Sequence, residues 1–439
     1  MIRFFAFVLF AALFAGNAPA ATLPHYGTDV HLGVASCAGS TCHGAVEPWK
    51  NSTVLQNEYV TWTRRDKHAK AYEVLLNDRS KRIARNLGLP DAHTAQLCLD
   101  CHADNVAADK RSKQFQVSDG VGCESCHGGA ARWLGIHVSG QSTHQDNLNL
   151  GMYPTADPVA RAQLCLSCHF GDERKFVTHR LMGAGHPRMS FELDTFTAIQ
   201  PAHYRVDADY AKRKTVAPGV QTWAIGQAMA LAQSMEALAD PKRGRDGIFP
   251  ELVLFDCHAC HHSMSELRWQ PRSSTGLGPG AVRLNDANAI MLAAITKRVA
   301  PELGQRLTQQ VTALHAAVSQ GRGSATDGAK SVAEIARQLI SRFAAHNFGR
   351  EDVQALLGAL LAQGRAGEFQ DYAAAEQATM AMSALAATLR QLGAIDDKQH
   401  QAITAALAKC YDATQKDESY KPRAFAEALA GVEAALPRL

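Results

Sequence analysis

The sequence predicts a mainly α fold with few strands, built in two parts. Three observations carry that reading. Five Cys/His motifs crowd into the first 261 of 439 residues, and a helical turn is what brings their residues to one face. After residue 285, apolar residues recur every three or four positions in stretch after stretch. Period-two alternation, the mark of a half-buried strand, is scarce throughout.

Taken in order, residues 1–20 read as a signal peptide. Met1 to Arg3 gives a basic start, Phe4 to Phe14 an apolar run too short to span a bilayer, and Ala18-Pro-Ala20 a cleavage site. No later stretch is long and uncharged enough to cross a membrane, so no transmembrane segment is expected once the signal is removed. The mature chain is expected to be periplasmic or secreted. A formal net charge of +3 over 439 residues marks neither a nucleic-acid binder nor a polybasic membrane patch.

The motifs follow. Four read Cys-x-x-Cys-His: Cys98/Cys101/His102, Cys123/Cys126/His127, Cys165/Cys168/His169 and Cys257/Cys260/His261. The first is stretched, Cys37-Ala-Gly-Ser-Thr-Cys42-His43, with Gly39 and Ser40 suited to a bulge. Cys-x-x-Cys-His is the attachment signature of c-type haem. Two thiols bond the porphyrin edge, and the adjoining imidazole ligates iron from the proximal side. Five such motifs predict five covalently attached haems c, proximally ligated by His43, His102, His127, His169 and His261. Residues 21–275 are therefore expected to form a pentahaem cytochrome c domain. Long polar connections such as Gly140 to Asp157 are tolerable there, because porphyrin surface can stand in for an apolar core.

Each iron has a second axial position. A histidine there favours outer-sphere electron transfer, and an open position allows ligand chemistry. The haem part offers eleven further histidines: His25, His31, His68, His93, His137, His144, His179, His186, His203, His258 and His262. The candidate distal set is His68, His137, His179, His186 and His144. His68 shares a helical face with Tyr72 and Leu75 behind the capping residue Asp66. His137 follows Trp133-Leu-Gly-Ile. His179 and His186 flank Leu-Met-Gly-Ala-Gly, where glycines let backbone approach a ring. His144 stands level with His203. Met182, Met189 and Met264 are outside candidates. Arg132, Arg174 and Lys175 are among the cations placed to meet propionates.

Composition changes near residue 275. Sixteen of 19 histidines lie before it, and Pro271 to Gly280 reads as a linker rich in turn-formers. Residues 276–439 are expected to form a C-terminal α-helical bundle. Its apolar stripes run through Leu303, Leu307, Val311, Leu314 and Val318; Val332, Ile335, Leu339 and Phe343; Val353, Leu356, Leu357, Leu360 and Leu361; Met382, Leu385, Leu389 and Leu392; and Phe425, Leu429, Val432 and Leu436. Gly364 and Gly393 stand where helices should stop. Ten of the 11 cysteines belong to the motifs, and Cys410 falls on an apolar helix face as a buried thiol.

The haem part resembles the multihaem cytochrome c-552/c-554 family. The likeness rests on Cys37 to Gly44, Asp66-Lys-His68-Ala-Lys-Ala-Tyr72, Gly122-Cys-Glu-Ser-Cys-His-Gly128, and Gly185-His186-Pro187 with Phe191-Glu192 behind it. It runs over roughly residues 30–265. It implies a mostly helical fold with close haem pairs, distal ligation at His68 and at histidines after the third motif, and electron transfer in the periplasm. The fifth motif and the appended bundle depart from the tetrahaem members. The expected function is a periplasmic carrier moving electrons between redox partner proteins, with no catalytic residue. The alternative is a redox enzyme acting on a small nitrogen or sulfur oxyanion at one five-coordinate haem. The Cys-x-x-Cys-Lys motif that pentahaem nitrite reductases share does not occur here.

Overall fold

Helix Gly219–Ala239 forms the axis of the structure, and sixteen of its 21 residues are buried. A helix that is apolar all round is one that neighbours enclose on every side. In this computed structural model the C-terminal helices Ala287–Val299, Ala325–Ala345 and Tyr372–Gln391 pack on it from one part of the chain. Pro158–His169 and Leu193–Ile199 pack on it from the other. The structure describes residues 21–261, 272–278, 281–321 and 323–436. The expected signal segment, His262, Met264 and much of the linker lie outside these.

The fold is mainly α, as expected. Nineteen α-helices and no strand occur among the described residues, apart from isolated bridges of His31 with Arg111 and Phe255 with Leu284. The C-terminal helices begin where their residues dictate. Pro301 and Pro422 occupy first-turn positions, Asp371 accepts from the Ala374 amide at 2.8 Å, and Asp396 forms a capping box with Gln399. The apolar stripes face inward: Val332, Leu339, Phe343, Val353, Leu356, Leu385 and Leu389 have no exposure. Burial of a side chain such as Phe343 contributes about 1.5–3 kcal/mol. Leu392 is the exception, 43 % exposed just past the end of its helix. Met380, Met382 and Cys410 are core residues, and burial pushes the Cys410 thiol up to about 12.

Gly393 terminates its helix in the left-handed region, at φ 63°. Gly364 does something other than expected. Its helix runs on to Arg365, and Gly367 at φ 78° follows the stop. A Cβ on Gly364 would lie 2.0 Å from Leu429 Cδ2, so this glycine lets helix Pro422–Ala435 approach.

The core continues across the linker. One apolar cluster extends from Ala162 and Leu166, in a haem-motif helix, to Val432 near the C-terminus. Buried amides tie the same elements together: Asn288 Nδ2 donates to Gln227 Oε1, Gln227 Nε2 to Gln377 Oε1, and Gln377 Nε2 to the Phe191 carbonyl. A buried ion network does so again. Arg283 bridges Asp256 (2.9 Å) and Asp371 (2.8 Å), while Arg272 pairs with Asp286 and Asp371. Asp256 immediately precedes Cys257, so the fifth motif is bolted to the bundle. By contrast, the rest of the haem part has only small clusters, such as Leu75, Ala84, Ala92, Leu99 and Ala103, or Ile83, Leu181 and Ala184.

Candidate haem sites

Four of the five motifs lie in helices or helical turns. Gln96–His102, Cys123–His127 and Pro158–His169 are α-helical, the last capped by Asp157, which accepts from the Val159 and Ala160 amides. The fifth motif is a 3-10 turn, closed by a hydrogen bond from the His261 amide to the Cys257 carbonyl at 2.8 Å. The stretched first motif keeps the equivalent bond. His43 N donates to Cys37 O at 3.2 Å across two more residues, while Cys42 N and Gly44 N both bond the Gly39 carbonyl. Gly44 is what makes this closure possible, because a Cβ there would lie 2.0 Å from the Ala38 carbonyl oxygen. The expected bulge residue, Gly39, carries no such constraint.

Cys260 departs from the other nine expected attachment cysteines. Those nine are half-buried, whereas Cys260 is exposed, and so is His261 beside it. The described residues enclose Cys260 less than they do the other nine. Cys260 follows the 3-10 turn Cys257–Ala259 as its C-cap residue. His258 and Ala259 fill the inward side and are buried. Asp256 holds the start of the turn against the bundle through Arg283, and Cys260 emerges at its far end.

Tertiary structure then brings one further histidine to each motif histidine. Ring centroids are 6.0 Å apart for His43 and His137, 6.5 Å for His102 and His186, and 6.3 Å for His127 and His203. They are 6.1 Å apart for His169 and His68 and also for His261 and His179. Two imidazoles on opposite sides of one metal, with N–metal bonds of about 2.0 Å, need a centroid separation of roughly 6 Å. The five gaps fit. Four of the five candidate distal residues are among the partners: His68, His137, His179 and His186. His144 is not, and pairs with no motif ring among the described residues. His203 occupies that place instead.

Hydrogen bonding prepares several rings as ligands. His43 Nδ1 bonds Glu58 Oε2 at 2.9 Å, and His68 Nδ1 bonds Asp66 Oδ1 at 2.8 Å. His102 Nδ1 bonds the Ala71 carbonyl at 3.0 Å, and His186 Nδ1 the Pro187 carbonyl at 2.8 Å. Such oxygens only accept, so Nδ1 carries a proton, and in the neutral ring Nε2 then keeps the lone pair a metal ligand needs. Burial adds to this elsewhere: it holds His127 down to about 3 and His169 to about 4, and lowers His137, His186 and His203. Hydrogen bonds to Glu58 and Asp66 act oppositely and raise His43 and His68. The donor set, the gaps and the sparse apolar core around them all suit haem.

Residues 36–128 match the family described as cytochrome c554 and c-prime. The likeness of this segment to a cytochrome c family implies covalently bound haem c and an electron-transfer role with redox partners. The match bears out the resemblance over the first three motifs. No curated protein and no solved structure matches the chain. Among the described residues, no helix is long and apolar enough to cross a membrane.

Around the cytochrome c554-like segment the protein itself engages the expected propionate partners. Arg132 pairs with Asp29, Arg174 lies over the Tyr26 ring, and buried Lys175 bonds the Asp100 carbonyl and Cys168 Sγ. His31 is a brace. Its Nδ1 bonds Asp104 at 2.8 Å, beside Glu124, whose carboxylate takes the Leu32, Gly33 and Ala130 amides. In the sequence His203 stands level with His144, and no local pattern separates the two. Asp66 reads there only as a helix cap, and Glu58 carries no signal of its own.

Proposed function

We infer that the chain is an exported, periplasmic pentahaem c-type cytochrome that passes electrons between partner proteins. One observation carries this reading: each of five motif histidines faces a second histidine across 6.0–6.5 Å. Ten cysteines would attach five haems. His43, His102, His127, His169 and His261 would ligate from the proximal side, and His137, His186, His203, His68 and His179 respectively from the distal side. Bound haem c supplies a one-electron couple. With both axial positions filled, no site is left for an oxyanion substrate, which favours the carrier over the enzyme.

The attachment residues also adjoin in series. Cys37 lies beside Cys123, Cys126 near Cys165 and Cys168, and Cys168 beside Cys101. His186 and His179, on one short segment, serve the second and fifth motifs. The sites thus run first, third, fourth, second, fifth.

Intact mass and electron paramagnetic resonance of the oxidised protein test the reading. Five covalent haems, all low-spin, with little carbon monoxide binding on reduction, are expected. Stoichiometric carbon monoxide binding with rapid nitrite-dependent reoxidation would overturn the carrier in favour of the enzyme. Cys42→Ser should remove one haem of five.

A further inference from the structure

The five pairs are not chemically equivalent, and the difference lies one bond beyond the ligands. His68 donates Nδ1–H to a carboxylate, Asp66, and His43 donates to another, Glu58. Both ligands of the second site, His102 and His186, donate to neutral backbone carbonyls, those of Ala71 and Pro187. An anionic acceptor draws the Nδ1 proton and makes the opposite nitrogen a stronger donor to the metal. Stronger donation stabilises ferric over ferrous iron.

We propose that Asp66 and Glu58 are potential-setting residues, which hold the fourth and first haems below the second. This rests on the ligand assignment above. Asp66 is built for the task. It is buried at 6 % exposure, and the Gln200 amide pins its other oxygen at 3.0 Å, so the carboxylate cannot swing away from His68. Low dielectric strengthens the bond to His68. Gln200 also anchors Asp66 to the segment that carries His203, so one carboxylate orients the distal sides of the fourth and third sites. Because Lys175 Nζ bonds both Cys168 Sγ and the Asp100 carbonyl, the fourth and second sites adjoin, and the step between them runs from low to high potential. The fold therefore drives electrons from the fourth haem toward the second.

Spectroelectrochemical titration of the full-length holoprotein tests this, with intact mass and paramagnetic resonance on each sample. Asp66→Asn should move one of the five components upward and change the g-value spread of one low-spin signal. Glu58→Gln should move a different component upward. Asp66→Glu should restore part of the first shift. Asp104→Asn is the control. It removes a buried carboxylate two residues from His102 that bonds His31 rather than a proposed ligand, and it should shift the potentials less. Absence of an upward shift in Asp66→Asn and Glu58→Gln, or shifts no larger than that of Asp104→Asn, would overturn the proposal. If Asp66→Asn loses haem, Glu58→Gln and its control decide alone. A wild type without five low-spin haems would instead fail the ligand assignment, before any variant is made.

Discussion

His203 faces His127 with ring centroids 6.3 Å apart and planes at 89°. The pair joins residues 76 positions apart, and it excludes His144, the nearer histidine in sequence. His203→Ala should therefore open the third site and give one high-spin, carbon-monoxide-binding haem. His144→Ala should leave the spectrum of the reduced carbon monoxide-treated protein as in the wild type. The reverse result would reassign the ligand.

Gly44 decides whether the stretched motif closes. Its Cβ position lies 2.0 Å from backbone oxygen, which cannot rotate away as a side chain could. Gly44→Ala should therefore yield protein with four haems by intact mass, and Gly39→Ala should keep five.

Asp371 accepts from Arg272 and Arg283, all at the buried junction between the fifth motif and the bundle. Removing one partner of a buried ion pair costs about 3–5 kcal/mol. Asp371→Ala also loses the cap of helix Tyr372–Gln391, about 1 kcal/mol more. Denaturant unfolding followed by circular dichroism should show a loss of this order. A loss below about 1 kcal/mol would mean that the network is dispensable.

Asp172 gives the protein an acid-sensitive tie. Burial alone would raise its carboxyl, but hydrogen bonds from His25, Tyr26 and the Arg174 amide hold it at about 2. A depressed folded value contributes stability that is complete above the unfolded value of about 4 and lost as pH falls toward 2. The contribution is on the order of 1–2 kcal/mol after allowance for partial solvent screening. Stability measured from pH 5 to pH 2 should fall less steeply in Asp172→Asn than in the wild type. Parallel curves would remove Asp172 from the account.

Much of the protein was legible without its structure. The motifs named ten cysteines and five histidines as haem-attachment candidates, because that chemistry needs a fixed local spacing. Spacing did not show that Cys260 would stand exposed while the other nine are half-buried, because exposure depends on what packs around the turn. The helices after residue 285 were legible because a 3.6-residue period records which face is buried. The haem motifs predicted a helical turn, and the stretched motif predicted a closed bulge, though not that Gly44 would govern it. What only the tertiary structure decided is which residues meet across distance. It paired His203 rather than His144 with His127, brought Glu58 to His43, and ran one core from Ala162 to Val432 through helix Gly219–Ala239. Periodicity shows that this helix is apolar, but it does not show what covers it. A second imidazole obeys no spacing rule, because the metal is reached through space. Its place is set by the packing of elements that the sequence keeps far apart.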